Sequence, residues 1–113
     1  MTGRLIETIE GPNGVVVELR EARTPYGFEN LLEVKVTMVA RIPGARRPYR
    51  YELRRLGVGP DQADEVVAHL AGRCRSNLVP YLFRASFPER YRAAEERERR
   101  RVIPFGPARG RAA

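Results

Sequence analysis

The chain has one cysteine, Cys74, one histidine, His69, one lysine, Lys35, and no tryptophan. A lone cysteine excludes an internal disulfide framework and a multi-cysteine metal site. A lone histidine leaves His-ligated metal centres and most Ser-His or Cys-His chemistry short of parts. On one helix, His69 and Cys74 would point about 140° apart, so they make no dyad. No apolar run approaches the roughly 20 residues that a membrane-spanning helix needs. The opening Met1-Thr2-Gly3-Arg4 runs straight into a charged segment, without the apolar stretch of a secretory leader. The expected compartment is therefore the cytoplasm, with no membrane insertion.

What is present is charge on a globular background. Of 113 residues, 42% are hydrophobic and 31% charged, a balance that suits a folded domain rather than a polyelectrolyte. The net charge is +7, and all but one of the 21 basic residues are arginine. Guanidinium groups bind phosphate and carboxylate bidentately and stack on aromatic rings. They are clustered: residues 41–55 hold six arginines against Glu52 alone, and residues 84–113 hold nine against four glutamates. The rest of the chain is slightly acidic. Two basic islands thus carry the whole excess.

The first half reads as strands. Leu5, Ile6 and Ile9 lead to Gly11-Pro12-Asn13-Gly14, a tight-turn composition, and Val15 to Arg20 returns with β-branched and alternating residues. Arg23 to Phe28 is turn-rich and marks the next connection. Leu32, Val34, Val36 and Met38 then alternate with Glu33, Lys35 and Thr37, a period of two. Ile42 to Pro48, with two prolines, breaks the ladder before Tyr49, Tyr51 and Leu53 alternate with Arg50, Glu52 and Arg54. Short connections predict an antiparallel meander with one face packed and the other wet.

Helical spacing follows. Pro60 suits a first helical position, and Asp61, Asp64 and Glu65 complement the dipole there. Val66, Val67, Leu70, Ala71 and Cys74 form an apolar stripe, with His69 at its edge. Leu78 to Phe83 is a dense apolar run whose periodicity fits a short helix or an extended segment. A second helix is expected over 88–101, where Glu95–Arg99 and Glu96–Arg100 make i, i+4 pairs. The fold class is therefore α+β: a four-stranded antiparallel β-meander packed by a C-terminal helix, then a second helical region and a basic tail. The organisation reads as an α+β domain over 1–87, a charged helix over 88–101 and an irregular Pro/Gly/Arg tail over 102–113. The predicted core is Val15, Val17, Leu19, Leu32, Val34, Val36, Met38, Tyr51, Leu53, Val66, Leu70 and Cys74. So small a core needs completion, by docking of Leu82, Phe83 and Phe87 or by a dimer.

No catalytic constellation emerges from the residues, and no metal or cofactor is expected. The acids at 61, 64 and 65 are explained by the helix start, and the glycine turns lack phosphate-loop spacing. The positive signal is arginine. Arg41, Arg46, Arg47, Arg50 and Arg54, joined by Lys35 where strands 3 and 4 pair, form one candidate binding surface. Tyr26 and Phe28 are the candidate base-stacking aromatics, and Arg97, Arg99, Arg100 and Arg101 form a second surface. The expectation is a non-enzymatic, arginine-rich module that binds nucleic acid or another polyanion. The alternative is a structural or adaptor subunit, in a homodimer or larger assembly, that meets an acidic protein surface through its C-terminal helix and tail.

Overall fold

The computed structural model describes residues 3–27 and 30–109, with side chains to Arg100. The architecture is α+β. Strands β1 (Arg4–Glu10), β2 (Val16–Tyr26), β3 (Leu31–Arg41) and β4 (Tyr49–Val58) form one antiparallel meander in sequence order. A single 3₁₀ turn at Pro60–Gln62 leads into α1 (Ala63–Arg73). A wider π-type turn over Cys74–Leu78 joins it to α2 (Val79–Leu82), and α3 spans Phe87–Arg109. Residues 110–113 of the expected tail lie outside the described residues. Among the described residues, no helix is long and apolar enough to cross a membrane.

The meander follows from the period-two pattern. Register places Val17 opposite Ala40, Leu19 opposite Met38, and Val36 between Glu21 and Leu53, so one face collects the apolar row. Val15, Val17, Leu19, Val34, Val36, Met38 and Ala40 are fully buried there. Helix α1 closes this face with Ala63, Val67, Leu70, Ala71 and Cys74, a stripe at helical spacing. Pro80 lacks an N–H and its ring would crowd the carbonyl four residues back. The π-type turn, with the Val79 N–H donating to the Cys74 carbonyl, widens the chain just before it. The apolar run at 78–83 is thereby helical rather than extended. Leu82 and Phe87 are buried in the same core and Phe83 packs against it, so these side chains dock within the chain.

Four expectations are corrected. Tyr51 lies on the packed side of β4 yet stays 38% exposed, because the helical layer does not reach the sheet's edge. Strand β2 continues to Tyr26 through the stretch read as a turn. Pro25 is tolerated because it lies beyond the last β1–β2 pair, Arg4–Glu21, where β2 has a free edge. The outer face is not wholly wet either: Thr37 and Val39 are buried beneath flanking long side chains at Glu18, Arg20, Arg50 and Glu52. His69 is exposed rather than at the edge of the buried face.

The first turn does more than reverse the chain. Asn13 donates through Nδ2 to the carbonyls of Leu82 (2.9 Å) and Arg84 (2.8 Å), and its Oδ1 accepts from the Val15 N–H. Gly11 lies flat against the Phe83 ring, in space that a Cβ would occupy. The turn is therefore the socket for the end of α2. Asn13→Ala should cost about 1–3 kcal/mol, well above the norm for a surface turn. Urea unfolding checks this; a shift below about 0.5 kcal/mol would show that the turn holds nothing.

Candidate functional site

Strand alternation puts Lys35, Arg41, Arg50 and Arg54 on the outer face, as the pattern predicts, but it puts Glu18, Glu33 and Glu52 there too. Arg54 donates to Glu33 (3.0 Å), Lys35 lies 3.7 Å from Glu52, and Glu18 accepts from Arg20 at 3.3 Å with Arg41 at 4.0 Å. The Arg54 hydrogen bond holds the Glu33 carboxyl below its ordinary range. The middle of the face is thus a chequerboard of paired charges, and its outward field is largely cancelled. Arg50 is exposed and has no ion-pair partner among the described residues.

The β3–β4 loop differs. Three side chains from two turns of α3 grip its backbone. Glu95 accepts from the amides of Arg46 and Arg47, each at 3.0 Å, one to each carboxylate oxygen. The Tyr91 hydroxyl donates to the Arg47 carbonyl (3.2 Å), and Arg92 donates to the Pro43 carbonyl (2.7 Å). Tyr91 also meets Tyr49 edge-on and packs against Phe87. The expected Glu95–Arg99 pair is therefore replaced: Glu95 is committed to the loop, and Arg99 and Arg100 share Glu96 at 3.8 and 3.9 Å. Because Glu95 takes amides, it leaves the exposed guanidinium groups of Arg46 and Arg47 without a carboxylate partner among the described residues.

The clamp joins the two basic islands at one end of the sheet. Tyr26 is exposed as expected, at 43%, but it pairs with Leu31 at the far end of β3. About ten residues of strand, some 33 Å, separate it from the loop, so it does not join this surface. Phe28 lies outside the described residues, as does the side chain of Arg101. Arg97 is exposed on the outer half of α3.

Sequence reasoning missed Tyr91, Arg92 and Glu95 as loop ligands, and no local pattern announces contacts across more than 40 residues. It also missed the second charge cluster. Glu21, only 5% exposed, accepts from both Arg4 and Arg23, and Arg23 reaches on to Asp64 at 2.8 Å. These bonds to Glu21 and then Asp64 hold Arg23 more firmly in its charged form. Asp64 therefore ties α1 to β2, besides meeting the helix dipole. With both carboxylates engaged by guanidinium groups, the shallow depression they line offers no free base. Cys74 is buried, and burial pushes its thiol up, the opposite of an activated nucleophile. No protein-family model matches the chain, and neither a curated protein nor a solved structure matches it.

The Glu95 clamp has a pH signature. The amide bonds from Arg46 and then Arg47 hold its carboxyl below the ordinary range, against the smaller opposing effect of burial. A carboxyl lowered by folding adds stability above its unfolded pKa, about 4.3, and loses it as pH falls through the lower folded value. NMR titration should therefore show the Arg46 and Arg47 amides moving with a midpoint below about 4.3. Glu95→Gln should remove that transition, and a midpoint at or above the ordinary carboxylate range would disprove the clamp.

Proposed function

We propose that this chain is a non-enzymatic, arginine-based module that binds a polyanion, nucleic acid foremost, at the β3–β4 loop end of its sheet. Arg46 and Arg47 would contact phosphates directly, flanked by Arg41 and Arg50. Arg97, Arg99, Arg100 and Arg101 would extend the contact along α3. One observation carries the reading: Glu95 fastens the loop through its amides, so the backbone that carries Arg46 and Arg47 is held in place while neither guanidinium group makes an ion pair among the described residues. Lys35 and Arg54 contribute less, because each already has a carboxylate.

A second reading is a structural subunit that meets an acidic protein surface. In its favour, residues 96–100 of α3 are all charged and exposed, so this stretch offers a polar face to a neighbour. The two readings separate by salt and nuclease. Phosphate binding weakens as a power of salt concentration, and a nucleic acid partner is lost on nuclease treatment. Fluorescence anisotropy with short DNA and RNA should show the double variant Arg46→Ala/Arg47→Ala binding more weakly. Its log–log salt slope should be shallower by about one per arginine removed. Arg54→Ala should change both far less. Equal effects at the loop and at Arg54, or none at either, would remove the loop from the binding surface.

A further inference from the structure

The meander leaves two free edges, β1 and β4, and they are built differently. β1 is seven residues long and is broken by an irregularity between Leu5 and Glu7, a common guard against edge pairing. β4 is ten residues long and pairs without irregularity over seven of them, from Tyr49 to Arg55, before its register shifts between Arg55 and Val58. Among the described residues, no backbone or side-chain hydrogen bond reaches its open side. Tyr51 (38%) and Leu56 (51%) are exposed along it, and Leu53 is half-buried. An open edge lined with uncovered apolar residues is a template for another strand.

The order of charges says which strand. Laid antiparallel on itself about Leu53, β4 sets Glu52 against Arg54 of the second copy and Arg54 against its Glu52. Leu53 meets Leu53, and the Tyr51 ring meets the Arg55 guanidinium. Each opposed pair shares a face, as an antiparallel ladder requires. Both side chains of the charge pair reach solvent, Glu52 at 51% and Arg54 at 61% exposed, although each also meets a charge in its own chain, Lys35 and Glu33. Neighbouring registers are worse. Centring on Glu52 opposes Glu52 to itself and Arg50 to Arg54. Centring on Arg54 opposes two Arg54 side chains. Centring on Tyr51 runs the ladder into Pro48, which has no N–H, and sets Arg47 against Arg55.

We propose that two copies of this chain pair antiparallel along β4 about a two-fold axis through Leu53, joining their sheets into one. The helical layers then lie on the same side, and Tyr51 is covered by the second copy rather than by its own helices. The pairing does not rest on the polyanion reading, since neither Arg46 nor Arg47 takes part.

Sedimentation velocity over a concentration series tests it, with circular dichroism to confirm folding. The wild-type chain should approach twice 12.9 kDa. Glu52→Arg and Arg54→Glu, each alone, turn two attractive cross-strand pairs repulsive and should weaken the dimer about tenfold or more. The double variant E52R/R54E restores both pairs between copies and should recover most of the affinity. It also breaks Lys35–Glu52 and Glu33–Arg54 within the chain and sets a glutamate opposite Lys35, which R54E alone does too, so recovery beyond R54E comes from the pairing between copies. A wild-type monomer at every concentration overturns the proposal, as does a dimer indifferent to both reversals or a folded double variant without recovery. Should a reversed chain fail to fold, Leu53→Cys gives a second readout: oxidation should link two copies at position 53, and no link overturns the pairing.

Discussion

A single helical layer has to cover one face of a four-stranded sheet, and it is too narrow to do so completely. Helix α1 lies over β3 and β4, its apolar stripe in one core with Val34, Val36 and Met38, and α2 and the start of α3 add Val79, Leu82 and Phe87 to that core. That constraint explains why Leu82 and Phe87 are buried, why the Asn13 turn reaches up to receive the end of α2, and why Tyr91 leans on Tyr49. It also explains what is left over. The strip of β4 carrying Tyr51 falls outside the covered area, so an apolar side chain on the packed face meets solvent.

Charge is organised by the same alternation that sorts the core. A strand that points every second residue inward points the rest outward, and here the outward positions carry both signs on neighbouring strands. Pairing then follows from register, which brings Lys35 and Glu52, or Glu33 and Arg54, to diagonal positions. Exposed pairs of this kind add little stability, but they cancel the field that a row of arginines would otherwise project. The β3–β4 loop differs in that Glu95 takes its backbone amides, so Arg46 and Arg47 make no direct ion pair among the described residues and feel the carboxylate only through space. Glu21 is the inverse case: a carboxylate on the packed face, paired with two guanidinium groups at the margin of the core.

The clamp by α3 also sets what the helix can do. Phe87 and Tyr91 anchor its first turns in the aromatic cluster, and Arg92 and Glu95 fasten the next to the loop. Beyond Glu95 the exposed face is continuous around the helix, and charged side chains alone occupy it through Arg100. Loop and helix are therefore fastened to each other, so the two basic islands lie side by side rather than on separate arms.

The strands, the first turn and α1 were legible in the chain, because periods of two and 3.6 are local and the apolar row of β3 is unbroken from Leu32 to Met38. The burial of Cys74 could be read in the same way, whereas Tyr26, expected to be exposed in a turn, is exposed at the end of β2. Tyr51 could not, since its pattern is that of a core residue and only the width of the helical layer decides its exposure. Nor could the fate of each arginine: Arg54 and Arg46 look alike in sequence, yet one meets Glu33 on the neighbouring strand and the other has no ion-pair partner among the described residues. Local periodicity determines which way a side chain points. Which group it meets depends on register and on contacts between segments distant in the chain, and only the folded arrangement supplies those.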